Sequence, residues 1–474
     1  MFLLYWLMYV FYAIAIMIAM VTVLMDNRQP AKTWVWLMVL IFVPVGGIIL
    51  YVFFGQNTRK EKAINKRSMD ELTMRSMYGF AKQQNLVLPE EHSVLINLFE
   101  SQNFAFPFKD NEIDIFTNGY DFFHSLLRDI SRATHHIHLE TYIICDDPLG
   151  RMVADALIHK AQQGVEVRFI YDDVGCWNVS DDFFDRMRSA GVDVRAFIPV
   201  KFPAFTSKVN YRNHRKICIV DGKVGFIGGM NIAIRYIKGR SGTAWRDTHL
   251  RIKGGAVYGI QRAFLIDWFF VSRTIINDHV YYPAYEGVEN NDCIMQIVTD
   301  GPVSDWPEMM QGFVRILLEA KRYVYIETPY FLPTEPVMFA MRTAALAGVD
   351  VRLMIPLHSD AKFVEWASRS YVRESVDSGV KVFLYKGGFN HSKLLVTDDS
   401  LSTCGSTNVD FRSFENNFEI NAFIYDRSTA LKVKEIFMRD LDSCVSYVDY
   451  MRHRRLSFPQ RLWESLVRLF SPLM

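Results

Sequence analysis

One polar pattern occurs twice in this chain, and that duplication constrains the fold more than any other feature. His214-Arg215-Lys216-Ile217-Cys218-Ile219-Val220-Asp221 is followed by Gly228-Gly229-Met230-Asn231. His391-Ser392-Lys393-Leu394-Leu395-Val396-Thr397-Asp398 is followed by Gly405-Ser406-Thr407-Asn408. In both copies lysine stands two residues after the histidine, aspartate seven and asparagine seventeen. Half of a reactive site present in duplicate implies two halves of chain joined into one two-histidine centre.

The repeat reaches well upstream. Ile137-His138-Leu139-Glu140-Thr141-Tyr142 matches Val324-Tyr325-Ile326-Glu327-Thr328-Pro329, and Gly164-Val165-Glu166-Val167-Arg168 matches Gly348-Val349-Asp350-Val351-Arg352. Gly191-Val192-Asp193-Val194-Arg195 likewise matches Gly379-Val380-Lys381-Val382-Phe383. The spacing between copies drifts, which indicates duplicated domains with unequal loops and not a short-period solenoid. Helical spacing joins these strands: Phe122-Phe123, Leu126-Leu127 and Ile130 in one half, Phe313, Ile316-Leu317 and Ala320 in the other. Strands alternating with helices predict α/β units on a largely parallel sheet. The first copy has extra residues before its histidine, among them Lys201, Phe202, Pro203, Phe205, Lys208, Tyr211 and Arg212. Aromatics mixed with cations suit a lipid interface; a packed surface loop is the other reading.

Within the motifs, Arg215 to Val220 and Leu394 to Thr397 read as strands, and Asp221-Gly222 is a hairpin signal. Alternate residues share a strand face, so each histidine points the same way as the lysine two places on. Imidazole serves as nucleophile or general acid near neutral pH, and lysine binds phosphate as a point charge. Asn231, Asn408 and the backbone N–H groups of Gly228, Gly229, Gly405 and Ser406 can donate further hydrogen bonds to a phosphate. Two such halves facing each other would hold a five-coordinate phosphorus. One ring attacks phosphorus, the other protonates the leaving oxygen, and the lysines stabilise the developing charge. This scheme requires no metal and no cofactor. Asp221 and Asp398 are candidates for the same chemistry, but they sit where the strand turns back, so a turn-forming role is equally open. Asp247, in Trp245-Arg246-Asp247, and Glu419, in Phe418-Glu419-Ile420-Asn421, follow the two motifs and are candidates for orienting the histidines.

This double pattern resembles the phospholipase D superfamily, known for H-x-K-x4-D followed by G-G/S-x-N. The resemblance implies metal-free phosphodiester exchange through a covalent phosphohistidine. It makes His214 the nucleophile and His391 the general acid by family habit, since nothing in the spacing decides the order. Lys216, Lys393, Asn231 and Asn408 match its phosphate-binding positions. Within the superfamily the chain resembles the bacterial cardiolipin synthases over nearly its whole length, in the N-terminal apolar segments, both motifs, Trp245-Arg246-Asp247, Asn408-Val409-Asp410-Phe411-Arg412-Ser413-Phe414 and the tail Arg468-Leu469-Phe470-Ser471-Pro472-Leu473-Met474. It implies an α/β fold of two tandem phospholipase D-like domains sharing one active site at their interface. It also implies transfer of the phosphatidyl group between two phosphatidylglycerol molecules to give cardiolipin and glycerol. A membrane-bound phospholipase D that hydrolyses its substrate to phosphatidic acid would use the same residues. A nuclease of the same superfamily should show a basic groove.

Composition narrows these readings. With 53 basic and 52 acidic residues the net charge is +1, so no global field points to nucleic acid. The six cysteines form no C-x-x-C and no His/Cys cluster, which disfavours a zinc site or a disulfide framework. No Walker sequence is present, and exchange of one phosphodiester for another needs no nucleotide.

Met1 to Met25 carries no charge, and neither does Thr33 to Thr58. A membrane-spanning helix needs roughly 20 apolar residues, so two transmembrane helices are expected over 1–58. Pro44 and Gly46-Gly47 are expected to kink or loosen the second, which is tolerated in membranes. A cleaved signal peptide is disfavoured by the missing basic n-region. Arg59, Lys60, Lys62, Lys66 and Arg67 outnumber Arg28 and Lys32 of the connecting loop, which places the catalytic part on the cytoplasmic side of a bacterial cell membrane. The expected organisation is therefore membrane helices over 1–58, a linker over 59–110, phospholipase D-like domains over 111–290 and 291–452, and a tail over 453–474. In the tail, Leu462, Trp463, Leu466, Val467 and Phe470 fall on one helical face and Arg461, Glu464 and Arg468 on the other. Such a helix either lies in a bilayer surface or docks on the protein.

Overall fold

The computed structural model describes residues 2–25, 30–51, 77, 86–200, 211–240, 242–276, 278–284, 291–454 and 456–473. The basic cluster Arg59 to Arg67, Arg28 of the connecting loop and the aromatic–cationic stretch Lys201 to Lys208 lie outside the described residues.

The repeat folds into two sheets with the same strand order. The first sheet takes β1 (Glu112–Phe116), β2 (His136–Thr141), β3 (Glu166–Asp172), β4 (Asp193–Phe197), β5 (Ile217–Val220), β6 (Val224–Gly228) and, after the short β7 (Trp245–Arg246), β8 (His249–Lys253). Their spatial order is β1-β8-β6-β5-β2-β3-β4. The second half supplies β9 (Ile294–Asp300), β10 (Tyr323–Glu327), β11 (Phe331–Leu332), β12 (Asp350–Pro356), β13 (Lys381–Tyr385), β14 (Phe389–Asn390), β15 (Leu394–Thr397), β16 (Leu401–Gly405), β17 (Val409–Asp410), β18 (Glu419–Tyr425) and β19 (Cys444–Ser446). Its main sheet runs β19-β13-β12-β10-β15-β16-β18-β9. Apart from β19, the second order is the first read backwards, with each strand standing where its repeat partner stands.

The expectation of a largely parallel sheet is corrected. Within the two main sheets β2-β3-β4 and β10-β12-β13 run parallel, while the motif strands pair antiparallel. The reason is local. Asp221 and Gly222 both take positive φ, as do Asp398 and Asp399, so each motif strand folds straight back as a hairpin. The first motif strand also begins at Ile217, later than the sequence pattern implied.

Helices fill the remaining layers: α1 (Phe2–Met25), α2 (Pro30–Phe42), α3 (Pro44–Leu50), α4 (Gly119–Arg132), α5 (Val257–Ser272), α6 (Glu308–Glu319), α7 (Lys362–Asp377), α8 (Arg427–Leu441) and α9 (Phe458–Arg468). The periodic residues Phe122, Phe123, Leu126 and Ile130 of α4, and Phe313, Ile316 and Leu317 of α6, are buried as their spacing predicts. One apolar cluster belongs to both halves: Ile217, Ile219, Ile227 and Leu250 pack with Leu394, Val396, Ile420 and Ala422, and with Val257, Ile260 and Phe264 of α5. Each half has a further cluster on its outer side. This shared core fixes the two sheets against one another and so sets the distance between their motifs.

At the N-terminus, the second apolar run is interrupted at Val43, with Pro44 opening α3. Trp36 and Tyr51 meet edge to face at 5.4 Å. Among the described residues no helix is long and apolar enough to cross a membrane. All six cysteines are free.

Candidate active site

Both motif histidines open onto one polar cavity of about 380 Å³ between the two halves. Its wall includes His214, His391, Asn231 and Asn408, so the structure brings together the four residues that the repeat had paired. The joining is done by backbone. Asn213 bridges to Phe418, and β14 pairs with β7. As a result the His214 N–H donates to Phe418 O at 3.0 Å and the His391 N–H to Arg246 O at 2.7 Å. Each histidine thus enters the site beside the residue that precedes the other half's carboxylate.

The carboxylates are therefore exchanged. His214 Nδ1 lies 3.1 Å from both oxygens of Glu419, and His391 Nδ1 lies 2.6 Å from Asp247 Oδ2. Sequence order had set Asp247 after the first histidine and Glu419 after the second; the fold gives each to the opposite ring. Bonding at Nδ1 leaves Nε2 as the free nitrogen of each ring. Glu419 is held in turn by the Ser406 hydroxyl, by Ser413 Oγ at 2.8 Å and by Asn417 Nδ2 at 3.2 Å. Asp247 accepts the Thr248 N–H at 2.7 Å.

The electrostatics follow from burial. Burial pushes His214 down to about 4 and His391 to about 3; Glu419 and Asp247 oppose the shift, and Lys216 and Lys393 reinforce it. Burial therefore favours the uncharged form of both rings. Burial alone would raise the two carboxylates, but His214 and Lys216 hold Glu419 below its ordinary value, and Lys393 and His391 do the same for Asp247. Burial lowers both lysines. Lys216 folds onto His214 O, and Lys393 Nζ lies 2.9 Å from His391 Nδ1. The ammonium groups thus sit behind the rings, in low dielectric, where their charge acts strongly on anything bound in front.

Of the two roles open to Asp221 and Asp398, the hydrogen bonds favour turn-forming over chemistry, and neither residue lines the cavity. Asp221 accepts the N–H groups of Thr134, His135 and His136 at 2.8 to 3.0 Å, and Asp398 those of Lys321, Arg322 and Tyr323 at 2.7 to 3.0 Å. They tie the motif hairpin to the loop leading into β2 or β10. Gly228, Gly229, Gly405 and Ser406 were expected to offer N–H groups to phosphate. Instead the Gly229 N–H donates to Thr248 O and the Ser406 N–H to Ile420 O, both at 2.9 Å. What the site needs from the three glycines is space. A Cβ on Gly229 would stand 2.1 Å from Asp247 Oδ1, and one on Gly228 would stand 2.5 Å from His249 Cα. A Cβ on Gly405 would stand 2.2 Å from Ile420 O.

Asn231 accepts from the Ile143 N–H at 3.1 Å and donates to Tyr236 Oη at 2.9 Å. The Asn408 carboxamide oxygen is buried without a partner and belongs to the cavity wall.

Other residues escaped the sequence reading. Asn213 and Asn390, one place before the histidines, each accept the N–H two residues on at 3.0 Å. Each also donates to a buried glutamate, Asn213 to Glu140 and Asn390 to Glu327 at 3.2 Å. Both Asn-His pairs and both glutamates were visible in the repeat; extending the motif by one residue would have found the link. Arg212, Arg235, Arg240 and Arg412 line the cavity against Asp360 and Asp410, which makes it a site for anions. The repeat could not show these arginines as a group, because three of them come from the first half and one from the second.

A doubled α/β fold that sets two carboxylate-oriented imidazoles and buried lysines around one arginine-rich cavity defines a two-histidine phosphodiester-handling enzyme. The family model described as "Cardiolipin synthase, PLD-like domain" matches residues 126–251 and 313–441, and "Phospholipase_D-nuclease N-terminal" matches residues 13–56. The chain is 39% identical over 480 residues to the major cardiolipin synthase of Bacillus subtilis (strain 168), covering 98% of each chain. It is 37% identical to the cardiolipin synthase of Oceanobacillus iheyensis, again over 98% of each. The crystal structure of phosphatidylserine synthase from Haemophilus influenzae Rd KW20 has the same fold, with a TM-score of 0.64 at 14% identity over 80% of this chain and 100% of that one. The chain belongs to the cardiolipin synthase family of phospholipase D-like proteins.

Proposed function

We propose that the chain is a phosphatidyltransferase that makes cardiolipin and glycerol from two molecules of phosphatidylglycerol. The observation that carries this reading is the single cavity with both histidines, seen together with full-length similarity to cardiolipin synthases of several bacteria. The two halves, residues 111–290 and 291–452, each supply one ring.

His214 Nε2, on a ring whose uncharged form burial favours, attacks the phosphorus of the first phosphatidylglycerol. Glu419 at Nδ1 stabilises the charge that forms on the ring, as carboxylates do behind catalytic imidazoles. His391 acquires its proton as the anionic phosphodiester enters, because that negative charge opposes the effect of burial. It gives the proton to the glycerol oxygen, which leaves. The phosphatidyl group is now bonded to His214. A hydroxyl of a second phosphatidylglycerol passes its proton to His391 Nε2 and attacks the same phosphorus. The P–N bond breaks, cardiolipin is released, His391 returns to solvent the proton equivalent it took up on substrate entry, and both rings regain their starting state. Lys216 and Lys393, with Asn231 and Asn408 at the wall, stabilise the charge on the equatorial oxygens.

Attachment to a bacterial membrane through residues 1–58, with the catalytic halves on the cytoplasmic side, belongs to the same proposal. It is supported by the charge-free stretch of α1 and by the exposed apolar side chains Trp6, Phe11, Ile18 and Phe42. Delivery from a bilayer favours the lipid acceptor over water by proximity.

The test is product analysis by mass spectrometry after purified protein meets phosphatidylglycerol vesicles alone. Cardiolipin and free glycerol in equal amounts are expected. Phosphatidic acid as the main product would show that water is the acceptor and that the chain is a hydrolase.

A further inference from the structure

The tail helix α9 turns most of its apolar side chains away from the protein. Val467 alone of them is buried, beside inward-facing Glu464 and half-buried Arg468. Glu464 is 3% exposed and pairs with Arg373 and, at 3.7 Å, with Arg369 of α7. Arg468 pairs with Glu374 at 2.7 Å and covers the ring of Tyr371 at 4.0 Å. On the other side Phe458, Leu462, Trp463, Leu466, Leu469 and Phe470 are exposed, Phe458 by 77% and Leu469 by 73%. The helix is well formed, with a capping box between Ser457 and Gln460 and Pro459 in its first turn. Its ion pairs therefore hold the apolar face outward. Docking on the protein, one of the two readings of this tail, is thus made by Glu464, Val467 and Arg468 and leaves Phe458, Leu462, Leu466, Leu469 and Phe470 exposed.

We propose that this face is a bilayer-docking surface that seats the mouth of the active-site cavity on an anionic membrane. The proposal rests on the reading of the substrate as a membrane phospholipid. Two observations select a lipid surface as the occupant. The first is charge: the exposed residues of α9 include Arg461 and no acid, since its one carboxylate, Glu464, is buried against arginine. Apolar side chains edged by a cation match an interface helix on anionic lipid. The second is continuity with the cavity. The rings of Trp463 and Trp366 lie 5.8 Å apart and those of Trp366 and Phe363 5.4 Å apart. Phe363 is 59% exposed, and its neighbour Val364 lines both the histidine cavity and an adjoining small crevice of about 110 Å³. An apolar track thus runs from the outer face of α9, over α7, to the place where the phosphate must enter. Exposed apolar patches of this kind mark interaction surfaces, and this one lies along the route an acyl chain would follow.

The full-length protein is reconstituted in phosphatidylglycerol vesicles with an environment-sensitive dye on Leu469→Cys. The dye is expected to be quenched by a lipid-borne quencher, to be protected from aqueous iodide, and to stay protected as protein is diluted in lipid. Free access of iodide would overturn the proposal, and protection lost on dilution would assign the face to a second copy instead. In parallel, Leu462→Ser, Leu466→Ser and Phe470→Ser are combined. Turnover of vesicle phosphatidylglycerol should fall about tenfold or more, while turnover of a dispersed short-chain phosphatidylglycerol stays within about twofold. Equal turnover of vesicles by variant and parent would contradict it. If the parent converts neither form of lipid, the substrate reading fails, and the dye measurement alone decides the surface.

Discussion

His214→Gln abolishes lipid conversion and leaves no phosphorus on the protein, whereas His391→Gln stalls with a phosphatidyl group bonded to residue 214. Both rings border one cavity and each presents Nε2 to it, because Nδ1 is engaged by a carboxylate. Losing the nucleophile removes the covalent route, on the order of 10⁴-fold or more for a residue of this kind. Losing the general acid–base costs on the order of 10²–10⁴-fold. It slows the second step as well, since the acceptor hydroxyl then has no base, and this is why the intermediate accumulates. Acid-labile label would be mapped by mass spectrometry after quenching at alkaline pH. Label on residue 391 in His214→Gln would reverse the two roles. Absence of label from both variants would remove the covalent step.

The second large effect comes from the exchanged carboxylates. Glu419→Gln is expected to behave like a lesion of His214, although the two residues lie in different halves. Asp247→Asn is expected to behave like a lesion of His391. Each change removes the charge that stabilises an imidazolium and costs on the order of 10²–10⁴-fold. The discriminating measurement is again the covalent step. Glu419→Gln should slow formation of the phosphohistidine, and Asp247→Asn should let it persist. Adding His214→Gln to Glu419→Gln should cost little more than His214→Gln alone, as for residues acting as one unit. The opposite assignment of the two phenotypes would mean that each carboxylate serves the histidine of its own half.

The exchange also shows where sequence reasoning ends. The doubled motif and the repeat around it were enough to read two like halves, the α/β class, both histidines and both lysines, and the carboxylate candidates came from the segments that follow the motifs. The periodic apolar residues of α4 and α6 placed two helices correctly. Pairing across the halves was out of reach, because it depends on the Asn213–Phe418 bridge and on the pairing of β14 with β7. Those contacts join residues remote in sequence, and no local period records them. The mixed sheet was partly legible. Asp221-Gly222 announced a hairpin, and a hairpin in the centre of a sheet excludes a largely parallel arrangement. Asp221 and Asp398 stayed open between two roles for a related reason. An aspartate at fixed spacing from a histidine looks the same whether it acts on substrate or ties down three backbone N–H groups. The glycines misled because a glycine can be required for its N–H or for its lack of a side chain, and only the neighbouring Asp247 shows that Gly229 is of the second kind. The tail helix was recognised as amphipathic, but which face it would bury depended on Arg369, Arg373 and Glu374 of α7, far away in the chain.

The central claim is that two imidazoles from duplicated halves act on one phosphorus. A crystal structure with vanadate, which takes the five-coordinate geometry of the exchanging phosphorus, tests it most directly. The account predicts vanadium bonded to His214 Nε2, its far apical oxygen within hydrogen-bond distance of His391 Nε2, and Lys216 or Lys393 turned from backbone carbonyls to the equatorial oxygens. Vanadate bound to one ring with the other turned away, or held by the arginines with neither ring in contact, would contradict it.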